Sequence, residues 1–250
     1  MQLKKNYYWA LILVTVFCLV SVINPPAQAA SSYNIATASS TYQTRLYIVD
    51  SGVPGPTVMV VGGVHGNETA GYKAAGLVKD FTVKKGRLIV LPEANKSAIA
   101  RHSRLSSNGD NLNRDFPQGS SETADSYIAR EIYQVVKDYG VDYLVDLHEG
   151  YDYYKSSSSS VGQTIIYYPR NDAKTVAYRM ASNLNSSISS SYRQFTVLRY
   201  PVAGSLARAS GQFLGVTSFI FETSQKQDLD TRINQQLKAV NTLLYYLGMK

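Results

Sequence analysis

Cysteine is almost absent from the sequence: Cys18 is the single example in 250 residues. One thiol excludes an internal disulfide and any zinc-finger or iron–sulfur site built from cysteine. Histidine is also scarce, at His65, His102 and His148. Glycine (17) and proline (8) are too few for a collagen-like chain or a linker. Charged residues make up 17% and hydrophobic residues 44%, which excludes the class of disordered chains. No Lys/Arg cluster interleaved with aromatics stands out, so nucleic acid is not expected as a partner.

The N-terminal apolar run covers residues 9–23, or 15 residues, short of the roughly 20 that a membrane span needs. Lys4 and Lys5 precede it, and Pro25, Pro26 and Ala27-Gln28-Ala29 follow. A basic start, an apolar middle and an A-x-A triplet form the layout of a secretory signal peptide. The expected division is a signal peptide at 1–29 and one catalytic domain at 30–250, with an uncleaved anchor as the competing reading. Cleavage would remove Cys18, Lys4 and Lys5 and leave 250 − 29 = 221 residues of charge 7 − 2 = +5. A secreted bacterial protein, extracellular or associated with the cell wall, is the expectation, with no stable membrane span after cleavage. The positive charge suits an anionic surface such as a cell wall, and equally serves general solubility.

The rest of the chain predicts a single α/β domain. Residues 30–43 are small and polar and read as a loose arm, followed by an edge strand at 44–49. Buried strands are expected at 57–61, 87–91 and 141–147, with further strands at 164–168, 195–200 and 216–221. Helices are expected at 69–81, 124–139, 172–185 and 229–247. Strands alternating with helices predict a mostly parallel mixed sheet with helices on both faces. Residues 92–121 form a long polar stretch, and loops of that length are often functional. Five serines in a row, 156–160, mark a low-complexity loop.

In such sheets the site lies at the carboxyl ends of the strands. His65 and Glu68 follow one buried strand, and His148 ends another. Two histidines and a carboxylate form a three-ligand set of the kind that leaves catalytic zinc an open position for water. Glu222 ends a further apolar strand and is the chosen general base. Glu149 is the rival, but adjacent strand residues face opposite ways, which disfavours it beside His148. The polar stretch supplies Arg101, His102, Arg104 and Arg114. An arginine there can grip a carboxylate through paired hydrogen bonds or stabilise an oxyanion. Arg101 reads as a solvated loop charge and His102 as a loop residue rather than a fourth ligand.

Gly63-Val64-His65-Gly66-Asn67-Glu68, then Asn113-Arg114, Asp146-Leu147-His148 and Phe221-Glu222, resembles the zinc carboxypeptidase superfamily. The nearest branch is the succinylglutamate desuccinylase/aspartoacylase one, with the small bacterial metallocarboxypeptidases beside it. The resemblance implies one zinc held by His65, Glu68 and His148, with Glu222 as the base. It also implies that Asn113 and Arg114 grip the terminal carboxylate, that Arg104 polarises the scissile carbonyl, and that Tyr200 caps the site. Leu206 and Arg208 fall near the family's selectivity position. Where the family has an Asp that orients a zinc-bound histidine, this chain has Asn111, with Asp110 one place earlier. Either side chain could serve. With the sequence ending at the expected last helix, without the extra C-terminal β-domain that closes the aspartoacylase pocket, the resemblance leads to the expectation of an open cleft, which would favour peptides.

The expected function is therefore a secreted metallocarboxypeptidase acting on the C-terminal amide of peptides, including cell-wall (murein) peptides. The competing readings are a zinc deacylase of N-acyl amino acids and a cell-wall binding protein whose site has decayed.

Overall fold

A computed structural model describes residues 29–35, 42–155 and 160–250. The expected signal segment, apart from Ala29, lies outside the described residues, as do serines 156–159. Among the described residues, eight strands form one mixed sheet: β1 (Ala29–Ile35), β2 (Thr44–Asp50), β3 (Thr57–Gly62), β4 (Arg87–Leu91), β5 (Tyr143–Gly150), β6 (Thr164–Tyr167), β7 (Thr196–Arg199) and β8 (Thr217–Ser224). Their order is β1-β2-β4-β3-β5-β8-β6-β7. The central four, β4, β3, β5 and β8, are parallel. Every residue of β3 is buried, because an all-apolar run suits a strand covered on both faces.

Helices cover both faces, as the alternation predicted. On one side, α1 (Thr69–Val78), α4 (Ala173–Asn185) and α6 (Leu229–Tyr246) pack over Val58, Val60, Val145 and Phe219. On the other, α3 (Tyr127–Asp138) and α5 (Leu206–Phe213) pack over Met59, Val61, Leu144 and Ile220. The buried face of α1 is small: Ala70, Gly71, Ala74, Ala75 and Val78. That lets the helix backbone rest on the sheet; a Cβ on Gly71 would lie 2.4 Å from the Leu147 carbonyl oxygen. The short α2 (Lys96–Ala100) lies within the long polar stretch.

Three expectations need correction. Residues 29–35 are a strand and not part of a loose arm: they pair antiparallel with β2 along seven positions, so β2 is not the edge. β1 gave no apolar signal because its residues are exposed from Ala30 to Asn34 and only Ile35 is buried. Such a polar edge is held by its backbone ladder. Next, β5 and β8 each continue to positions 150 and 224, so His148 and Glu222 sit within the ladder, in register with each other. The apolar pattern stops before the hydrogen bonding does. Lastly, α5 was not expected. Its eight residues are too few to show a period, although Ser205 caps it by accepting from the Arg208 N–H at 3.1 Å.

From β3 the chain passes to β4 on one side and then to β5 on the other. The carboxyl ends of β3 and β5 are thus a topological switch point, where a crevice opens.

Candidate active site

The switch point brings His65, Glu68 and His148 together, with one donor atom from each lying within 4.8 Å of the others. All three are buried. His65 Nδ1 lies 2.7 Å from Glu68 Oε1, and His148 Nδ1 lies 2.8 Å from Glu68 Oε2. The outer nitrogens are held as well. His65 Nε2 lies 3.1 Å from Asn111 Oδ1, so of the two side chains left open by the sequence it is Asn111 that reaches the histidine. Asp110 is exposed. His148 Nε2 lies 3.0 Å from Asp146 Oδ2.

Burial raises the cost of charge at Glu68, but the neighbouring His65 and His148 outweigh it and hold the carboxyl well below the usual range. Burial likewise opposes protonation of His148, and the carboxylates of Asp146 and Glu68 overcome it. Asp146 is fully buried, and its Oδ1 has no partner among the described residues. Two imidazole Nδ1 atoms and a carboxylate facing one point, each imidazole steered from behind, form a donor set that fits a divalent metal ion.

Glu222 faces the same side of the sheet as its register partner His148. Its carboxyl makes no hydrogen bond or ion pair among the described residues. Burial, with Glu68 and Asp146 adding negative charge, pushes it up to about 8, against the pull of His148 and Arg104. A raised, unpaired carboxyl in a cleft is the state expected of a general acid–base group.

A cavity of about 650 Å³ opens over these groups. Arg104, Asn113 and Arg114 line it with His65, Glu68 and Glu222. Arg104 donates to Glu68 Oε1 at 3.2 Å, and its side chain is 47% exposed. The Oδ1 of Asn113 is buried with no partner among the described residues. Burial and the nearby Arg104 lower the pKa of Arg114, as expected where two cations share one small space. The 3-10 turn carrying Asn113 and Arg114, Leu112–Arg114, is pressed against the loop before α5. There Gly204 has φ +78°, and a Cβ would come within 2.6 Å of the Arg114 carbonyl oxygen. Only glycine fits.

Tyr200 lines the cavity wall just past β7. It is exposed, holds a left-handed φ of 65°, and lies over the Arg208 guanidinium at 5.2 Å. Arg208 is also 5.3 Å from the Tyr168 ring. Neither Arg208 nor the fully buried Leu206 lines the cavity. Instead, a row of apolar residues on adjacent strands does so: Ile220, Ile166 and Leu198. Arg101 and His102 are exposed on their loop, away from the cavity lining.

Glu149 turns to the opposite face of the sheet, as strand alternation requires. There it accepts from the Ala70 N–H at 2.9 Å and from Arg232 at 2.6 Å. The sequence reading gave no role to Asp146, although its place two residues before His148 on one strand face was a usable signal. Arg232 and Gln236 left no signal, being more than eighty residues from Glu149 and His148.

A family model for the succinylglutamate desuccinylase/aspartoacylase catalytic domain matches residues 54–246. No curated protein sequence matches. Among solved structures, a succinylglutamate desuccinylase/aspartoacylase from Rhodobacter sphaeroides has a TM-score of 0.63 at 20% identity, covering 91% of this chain and 68% of that one. The ectoine utilization protein EutE from Ruegeria pomeroyi gives 0.66 at 19%, covering 91% and 70%. The mDAP-bound form of Helicobacter pylori Csd4, a D,L-carboxypeptidase, gives 0.65 at 18%, covering 87% and 55%. The chain thus spans about half the length of Csd4. At these identities the likeness is one of fold. No helix among the described residues is long and apolar enough to cross a membrane.

Proposed function

The chain belongs to the succinylglutamate desuccinylase/aspartoacylase catalytic-domain family, a family of hydrolases, and we propose that it is a secreted zinc carboxypeptidase acting on the last amide bond of peptides. Cell-wall stem peptides are the substrate class that secretion favours. The observation that carries this reading is that His65 and Glu68 of the His65–Glu68–His148 donor set line one cavity with the unpaired Glu222 and the Asn113–Arg114 turn.

His65, Glu68 and His148 would hold the zinc, which when bound polarises the scissile carbonyl and makes hydroxide available near neutral pH. Glu222 accepts the proton of the attacking water. It then passes that proton to the leaving amine. Arg104 points its donors at the developing oxyanion. Asn113 and Arg114 hold the free carboxylate of the leaving residue through charge-assisted hydrogen bonds. The row of Ile220, Ile166 and Leu198 offers that residue an apolar wall, so an aliphatic side chain loses least there. Tyr200 covers the entrance.

A second reading is a deacylase of N-acyl amino acids, favoured by the matched family itself. Its chemistry is the same, with the acyl group replacing the peptide. The two separate on a mixed pool of peptides, murein stem peptides and N-acyl amino acids, incubated with zinc-loaded protein and followed by mass spectrometry with a chelator control. Chelator-sensitive loss of one C-terminal residue supports the carboxypeptidase. Free acid released only from the N-acyl amino acids overturns it in favour of the deacylase. Secretion is tested by the intact mass of the protein from culture medium: a chain starting at Ala30 supports it, and a full-length cell-bound chain refutes it.

A further inference from the structure

On the face of the sheet turned away from the cavity, the end of β5 meets α1 and α6. Glu149 Oε2 accepts the Ala70 N–H in the first turn of α1, at 2.9 Å, where negative charge is favoured. Its Oε1 accepts from Arg232 Nη1 at 2.6 Å and from the Thr223 hydroxyl at 3.4 Å. The main-chain N–H of Glu149 donates to Glu68 Oε2 at 3.1 Å. Four residues beyond Arg232, and so on the same side of α6, the buried Gln236 donates to the His148 carbonyl and to Thr223 Oγ1, each at 3.1 Å. One helix thus holds the main chain of His148 directly and, through Glu149 and the Ala70 N–H, the main chain just after Glu68. Arg232 neutralises the Glu149 carboxylate, which pins the start of α1 just after Glu68. Gln236 fixes the backbone of His148.

We propose that Arg232 and Gln236 of α6 are positioning residues for the metal centre. They set metal affinity through Glu149 and the His148 carbonyl without touching the metal or the substrate. This rests on reading His65, Glu68 and His148 as metal ligands. Arg232 is the cation that holds the Glu149 carboxylate in place; without it the Ala70 N–H loses its fixed acceptor, and α1 and Glu68 lose their stop. Support of this kind is worth about 10- to 100-fold in metal affinity.

The test is zinc titration of the metal-stripped full chain against a chromophoric chelator, with the metal-free melting temperature measured in parallel. Arg232→Ala and Gln236→Leu should each weaken zinc binding about tenfold or more. Arg232→Lys should recover most of the loss, and Asn234→Ala, exposed on the same helix, should change nothing. Wild-type zinc affinity in folded Arg232→Ala and Gln236→Leu overturns the proposal. So does a loss in Arg232→Ala that Arg232→Lys fails to restore, which would mark a purely structural role. If Arg232→Ala does not fold, wild-type affinity in Gln236→Leu overturns it. Wild-type protein that binds no zinc refutes the metal-site reading instead.

Discussion

The two ends of the central sheet handle charge in opposite ways. At the amino end, charged and polar groups tie strands to loops one pair at a time. Arg87, the first residue of β4, meets Asp50, the last of β2, at 2.9 Å, with both side chains about one-third exposed. Asp142 accepts the Thr57 N–H at 2.8 Å. Each of these is a local clasp that water can replace. At the carboxyl end, Glu68, Asp146, His65 and His148 are all buried, and they form a chain of pairs, His65–Glu68–His148–Asp146. Pairs at an exposed strand end are worth little individually, whereas removing one member of a buried set leaves another uncompensated. One end closes the fold, and the other stores charge in a form that a metal and a substrate can use.

The largest effect expected at the carboxyl end is that of Glu222→Gln. Turnover should fall about 10²- to 10⁴-fold while zinc content stays at the wild-type level. Steady-state rates and metal analysis check this, and activity within tenfold of wild type would remove Glu222 from its role. Arg114→Ala tests the substrate-holding half. Losing charge-assisted hydrogen bonds of about 1.5–3 kcal/mol should raise KM about 10- to 150-fold for substrates with a free carboxylate and leave their C-terminal amides unaffected. An equal effect on both would show that Arg114 acts on something else.

Asn111→Ala removes only the acceptor behind His65 and should weaken zinc binding about tenfold, measured by chelator competition. The smallest effect belongs to the other end. In Asp50, the backbone N–H of Gly52 and the Arg87 guanidinium hold the carboxyl below its ordinary 3.8. Its folded pKa is depressed, so its contribution is present at neutral pH and lost as pH falls through that lowered value. Asp50→Asn should therefore cost less than about 1 kcal/mol at pH 7 and nothing in strong acid. Urea midpoints measured across pH would show the two proteins converging. A large cost would break the contrast between the ends.

What the sequence made legible follows the same division. The buried central strands announce themselves as unbroken apolar runs, and β3, β4 and β5 were placed correctly to within a few residues. Ligand candidates were visible because scarce residue types stood at strand ends. β1 was hidden because an edge held by main-chain bonds needs no apolar code. The Asn111–His65 contact joins positions 46 apart, and only folding could choose between Asn111 and Asp110. The grip of α6 on β5 was invisible for the same reason: arginine and glutamine on a helix look like solvated surface until their partners, 83 and 88 residues away, are known.

The switch point also has a consequence for how the molecule is made. Glu68 and His148 are 80 positions apart, and they meet only once β3 and β5 lie side by side. Contacts this distant form late, because the chain between them must first be ordered. A chain emerging from synthesis therefore carries two separated fragments of the site until the middle of the sheet has zipped. Metal capture should then report completed folding rather than start it.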